Sequence, residues 1–233
     1  MTSETTIGGH VQQALSRPEA IWIVASNAIP VAGALFFGWP ALSLMLFYWI
    51  ENAVIGAFNA LKIAVSGIGK PKALAAFTVF LVPFFFFHYG LFCYVHGVFV
   101  LAMFAVADPS VSDSFDLVTV VWRRLETDTD LRTGVIALIA VQAAWFLVLW
   151  VGAGKWRTVN PLAQMFEPYP RIIVLHFTIF VATIPVLLLG QGWIAVAALA
   201  AFKACMELGL TQFSAGFDKI KNLRPDEFPD ANG

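Results

Sequence analysis

The chain has 233 residues, 59% of them hydrophobic and 12% charged, with a formal net charge of −1. A soluble domain holds roughly half apolar and a quarter charged residues, so this composition excludes an ordinary soluble fold and points to a polytopic membrane protein of one domain. No nucleic-acid partner is expected. The expected fold class is all-α, a membrane bundle of about six helices.

The first 19 residues form a polar tail with Glu4, His10, Arg17 and Glu19, and carry neither a basic n-region nor a small-residue cleavage site. No cleaved signal peptide is expected there. The transmembrane domain is assigned to residues 20–212, as six stretches long enough for a layer of about 30 Å. The first runs from Ala20 to Gly38 and contains Pro30; the second, Ala41 to Val65, carries Glu51 at its middle. The third, Ala73 to Ala107, is too long for one perpendicular span, and Pro83 predicts a kink or an interfacial first turn. Between Asp108 and Asp130, apolar residues alternate with acidic ones, and Asp113 is a candidate cap for a short amphipathic surface helix. A lid over an external cavity is the sharper alternative.

The fourth stretch runs from Gly134 to Val151. Lys155 to Pro170, rich in Trp, Arg and Pro, is expected to lie along the headgroups. The fifth stretch, Arg171 to Leu189, contains Pro185; the sixth is Trp193 to Gln212, and residues 213–233 form a polar tail. Arg17, Lys62, Lys70, Lys72, Lys155, Arg157, Arg171, Lys219, Lys221 and Arg224 fall on one side of this topology, against Arg123, Arg124 and Arg132 on the other. The positive-inside rule then places both termini in the cytoplasm of a bacterial inner membrane, with Trp22, Trp150 and Trp156 at the inner interface and Trp39 and Trp193 at the outer one.

Glu51 is the residue that most needs a reason. A carboxylate at that depth costs several kcal/mol unless it is protonated, paired or bound to a cation, and so marks a functional site. Eleven residues separate it from Lys62, which at about 100° per residue returns to nearly the same face, with Asn52 and Asn59 in an adjacent stripe. Gly56 leaves room for a close neighbour. The asparagines fit a hydrogen-bonded seam between helices, and Lys62 is expected to snorkel to the inner headgroups.

Depth selects the partners. His88 on the third stretch shares the layer of Glu51, whereas His96 lies roughly 12 Å further out and reads as a helix-to-helix hydrogen bonder. His176 and Glu207 fall one to two turns nearer the cytoplasm. Imidazole and carboxylate suit Zn or Fe, which makes Glu51, His88 and His176 candidate metal ligands, with Glu51 and Glu207 as candidate catalytic carboxylates. No HExxH, HxxxH or ExxH pair and no GxSG nucleophile occurs; Ser66-Gly67 reads as a helix stop, and Cys93 and Cys205 as small core residues. Lys203, Glu207 and Thr211 share one face of the sixth stretch. An internal ion pair is the commonest reason for such a lysine, and a Schiff base the less common one.

Tyr48-Trp49-Ile50-Glu51-Asn52 with Gly56, Asn59 and Lys62, the run Arg171 to His176, and the segment Lys203 to Glu207 resemble an uncharacterised family of prokaryotic integral membrane proteins classed as a domain of unknown function. The resemblance spans nearly the whole chain. It implies the membrane class and directs attention to Glu51, His176, Lys203 and Glu207, and it implies no activity.

Three functions are compatible with a polar core of Glu51, Asn52, Asn59, His88, His176, Lys203 and Glu207. They are a metal-dependent membrane enzyme acting on a lipid or apolar substrate, a proton- or ion-coupled transporter, and a non-catalytic partner subunit or cofactor holder, including one for haem b. Expected partners are membrane lipids, a second copy of the chain or a membrane subunit.

Overall fold

The structure is a computed structural model that describes residues 18–105 and 116–173. It is all-helical: α1 (Pro18–Phe36), α2 (Ala41–Ser66), α3 (Lys72–Ala105), α4 (Leu117–Thr127), α5 (Thr129–Trp145) and α6 (Pro161–Phe166), with no strand among the described residues. α5 continues into a π-helical segment, Phe146–Gly152, and a 3₁₀ turn at Lys155–Arg157 precedes α6. Three helices are long and apolar enough to cross a membrane: Leu42–Ser66, Lys72–Ala102 and Thr129–Gly152. The sixth stretch, most of the fifth, the C-terminal tail, residues 1–17 of the N-terminal tail and Asp113 lie outside the described residues, and Pro18 and Glu19 belong to α1.

α2 is the central element. Of the three long helices, it buries 61% of its apolar window, against 22% for α3 and 28% for α5. Its N-terminus follows Pro40, whose fixed φ of −65° leaves the chain extended immediately before the helix. It ends at Ser66, whose hydroxyl donates to the Ile63 carbonyl, and at Gly67, so the expected helix stop is present. α3 runs unbroken through Pro83, which lies on its exposed side.

Two apolar clusters hold α2. One joins Leu42, Leu44 through Tyr48 and Ile50 to Val100, Leu101, Leu117, Leu131 and Leu138; the other joins Ala60 and Ile63 to Leu81, Phe85, Tyr89, Met165 and Ile172. Aromatic rings fill the places where Cβ atoms are missing. Trp39 occupies the space a Cβ would take at both Gly33 and Gly134, Trp49 does so at Gly97, and Tyr89 at Gly56. Between apolar helices, association depends on this kind of close packing at small residues.

The belt assignments of two tryptophans are therefore corrected. Trp39 is 6% exposed and Trp150 1% exposed, and both are core residues held by packing rather than interfacial anchors. The surface helix expected between the third and fourth stretches is present as α4, with Leu117 and Val120 turned inward and Val118 and Trp122 outward. Its cap is Asp116: one carboxylate oxygen accepts from the Val118 and Thr119 amides, and the other from the Thr119 hydroxyl at 2.6 Å. These hydrogen bonds hold the Asp116 carboxyl below its ordinary value. Asp128 caps α5 through the Leu131 amide at 2.9 Å and accepts from Ser43 at 2.9 Å, tying the α4–α5 corner to the first turn of α2.

Candidate functional site

The polar face read on the second stretch is a buried face. Glu51, Asn52, Asn59 and Lys62 are 1%, 4%, 1% and 6% exposed, and all four turn into the bundle. Glu51 and Asn52 lie where one apolar cluster of α2 gives way to the other. Asn52 Nδ2 donates to the Tyr48 carbonyl at 2.9 Å and its own carbonyl accepts from the Tyr89 hydroxyl at 3.2 Å. Asn52 Oδ1 is buried with no hydrogen-bond partner among the described residues.

Toward the Ser66 end, the face meets a segment that folds back into the bundle. Asn160 starts α6, its side chain accepting from the Leu162 amide at 2.9 Å, and Pro161 follows at the first helical position, where its missing N–H costs nothing. This short helix buries Gln164 and Met165 against α2 and α3. Gln164 Nε2 donates to Asn59 Oδ1 at 2.6 Å, and Asn59 Nδ2 donates to the Gln164 carbonyl at 3.1 Å. Gln164 Nε2 also donates to Glu167. The expectation that Lys155 to Pro170 lies along the headgroups is corrected to this extent: its second half plugs the end of the α2 face.

Lys62 does not snorkel. Its ammonium lies 3.5 Å from the Glu167 carboxylate, 3.7 Å from the Trp145 ring centre and 5.5 Å from that of Trp150. The π-helical segment makes the double aromatic contact possible. Residues five apart diverge by about 140° on an α-helix, whereas the wider π turn brings i and i+5 into register. Trp145 and Trp150 accordingly stack at 6.4 Å and 25°, side by side over the ammonium. Beyond them Lys70 donates to the Arg157 carbonyl at 2.7 Å, pinning the α2–α3 turn to the 3₁₀ turn.

His88 and Glu51 do not meet in a hydrogen bond or an ion pair. His88 Nδ1 is 2.7 Å from the Tyr169 hydroxyl, and it is Tyr89, about 100° around α3, that reaches the α2 face. His96 is buried and bonds the Phe92 carbonyl one turn back on its own helix. His176, Lys203 and Glu207 lie outside the described residues. Among the described residues, no group of three His, Cys, Asp or Glu could hold a metal ion. Cys93 is a free buried thiol, in keeping with a core residue, and its carbonyl accepts from Trp49 Nε1 at 2.6 Å.

Sequence reasoning missed Gln164, Glu167, Tyr169 and Trp145. The Asn-Pro pair at 160–161 was the available signal for α6, since it is a helix start in the middle of an apparent loop.

Neither a curated protein nor a solved structure matches the chain. The sequence model of the family of unknown function DUF6498 matches residues 10–222, nearly the whole length, and the chain belongs to that family.

Proposed function

We propose that this is an integral membrane protein that moves protons or another small cation along the buried face of α2, with Glu51 as the group that takes and releases the charge. The carrying observation is the burial of Glu51, at 1% exposure, near the middle of a helix long enough to span a bilayer. Carboxylates in that position mark ion paths and proton relays. From Glu51 the face continues through Asn52 and Asn59 to Lys62, about 17 Å along the axis, which is half of a hydrocarbon layer. α6 covers its end, burying Pro161, Gln164 and Met165 while Leu162 and Phe166 stay exposed. The Lys62–Glu167 pair then stands as the inner gate, in a bundle whose termini face the cytoplasm of a bacterial inner membrane.

Purified protein in liposomes loaded with a pH-sensitive dye tests the reading under a potassium diffusion potential, and again with sodium gradients. Wild type should pass protons or sodium, and Glu51→Gln should abolish the flux while remaining folded. Equal flux in the two, or none in either, would overturn it.

A metal-dependent membrane enzyme with Glu51, His88 and His176 around Zn or Fe, and Glu207 as base, has less support, because His88 turns toward Tyr169 and away from Glu51. A haem between His88 and a second histidine has the same weakness. Elemental analysis and an optical spectrum of the purified protein separate both from the transport reading.

A further inference from the structure

His88 occupies an unusual place. It is the seventeenth residue of the 34-residue α3, the midpoint of the helix, and it sits in a stripe of aromatic side chains on the outer side. Phe77 stacks on Phe80, Phe80 on Phe84, and Phe84 on His88 with ring planes within 11°; Phe92 closes the row at 5.2 Å from the imidazole. Phe77, Phe80, Phe84 and Phe92 are exposed and His88 is half-buried. An imidazole on such a stripe, in a helix immersed in lipid, is expensive unless both nitrogens are satisfied.

Among the described residues, only one nitrogen is. The Tyr169 hydroxyl has His88 Nδ1 as its sole hydrogen-bond partner among the described residues, and in the tautomer in which the tyrosine O–H donates, Nδ1 accepts. A neutral imidazole carries its proton on the other nitrogen. In that tautomer Nε2–H is a donor with no partner among the described residues, beside Phe84 and Phe92.

We propose that His88, positioned by Tyr169, is the handle of a membrane-facing binding site for a lipid-soluble quinone. Depth chooses the chemistry. At the helix midpoint a phospholipid or fatty acid would have to drag its charged head some 15 Å from the interface, half the hydrocarbon thickness. A prenylated quinone is uncharged, presents carbonyl oxygens to accept from Nε2–H, and has a flat ring that stacks against Phe84 and Phe92. Phe166, which packs on Tyr169 at 5.8 Å, extends the apolar wall. The proposal needs α3 in lipid and does not need the Glu51 path, because His88 and Tyr89 point in different directions from α3. No electron transfer is part of it.

The test uses the full chain in detergent, decylubiquinone as the probe, and competition against photo-crosslinking by an azido-quinone mapped by mass spectrometry. Wild type should bind saturably, with crosslinks between residues 84 and 92 or 166 and 169. Loss of one hydrogen bond to an otherwise stranded donor predicts weakening by about tenfold in His88→Phe, which keeps the aromatic row. His88→Gln, which retains a donor, should stay within about threefold of wild type, and Tyr169→Phe should fall between the two. Phe87→Leu, on a different side of α3, and Glu51→Gln should bind as wild type. Absent saturable binding, equal binding by His88→Phe, equally effective competition by oleate, or loss of binding in Glu51→Gln would each overturn the proposal.

Discussion

Asn59 and Gln164, 105 residues apart in the chain, exchange hydrogen bonds, the amide of each donating to an oxygen of the other. Both are buried, so each amide would lose its partner in a place water does not reach. That reciprocity fixes α6 to α2 in one register.

Removing one side of the exchange should therefore cost more than half of removing both. Asn59→Leu and Gln164→Leu should each destabilise the protein by about 1–3 kcal/mol, and the double variant by clearly less than their sum. Thermal or denaturant unfolding in detergent, run as a double-mutant cycle, reads the coupling. Strict additivity would show that the two amides act independently.

Lys62 and Glu167 should respond unequally. The lysine side chain is 8% exposed and the glutamate 46%, so Lys62→Met leaves a half-solvated carboxylate, whereas Glu167→Gln leaves a buried ammonium. Glu167→Gln is expected to cost about 2–3 kcal/mol, below the range for a fully buried pair because the Trp145 ring still faces the ammonium, and Lys62→Met about 1 kcal/mol. The same unfolding assay checks the order. A larger loss for Lys62→Met would mean that the ion pair does not control the stability of this end.

The α4 cap should be acid-sensitive. The Asp116 carboxyl titrates below its ordinary value of 3.8 in the folded protein, so its contribution is complete above that value and is lost as pH falls through the lower folded one. Hydrogen exchange corrected for intrinsic rates should show protection in residues 117–121 falling in that acid window. In Asp116→Asn protection should be flat across it. A wild-type profile equally flat would rule the cap out as the titrating element.

Topology can be read by cysteine labelling in a background without Cys93 and Cys205. Lys72 and Thr158 are exposed and should react from the cytoplasmic side, while Thr127, exposed on the opposite turn, should react from outside. Ser66 would be a poor probe because it is fully buried. Reaction of all three positions from one side would contradict the charge asymmetry.

The helices and the polar face were legible because both follow from period. Apolar runs near 20 residues marked α2 and α5, and the angular spacing of Glu51, Asn52, Asn59 and Lys62 put them on one side. What those residues touch was not legible. Glu167 and Gln164 sit in a Pro-rich stretch whose composition reads as surface loop, and no local pattern distinguishes a loop that stays outside from one that folds in. Trp39 and Trp150 misled for a related reason: position along a span says belt, whereas the glycines that face Trp39 and the π turn that carries Trp150 decide the packing, and a hydropathy pattern shows neither. Asp116, the cap of α4, carries no compositional mark that sets it apart from Asp113.

The span of 105 residues also separates Lys62 from Glu167, and it has a consequence in time. At 5–20 residues per second, the ribosome delivers Glu167 roughly 5 to 20 seconds after Lys62. Until then α2 lies in the nascent chain without α6, and the ammonium lacks its carboxylate, the Trp145 ring arriving only shortly before Glu167. The nascent α2 must hold Lys62 at the headgroups and surrender it inward only when the later segment arrives. A translational pause before codon 164 would therefore prolong together the wait of Lys62 for Glu167 and that of Asn59 for Gln164, leaving this end of the α2 face open for as long as the pause lasts.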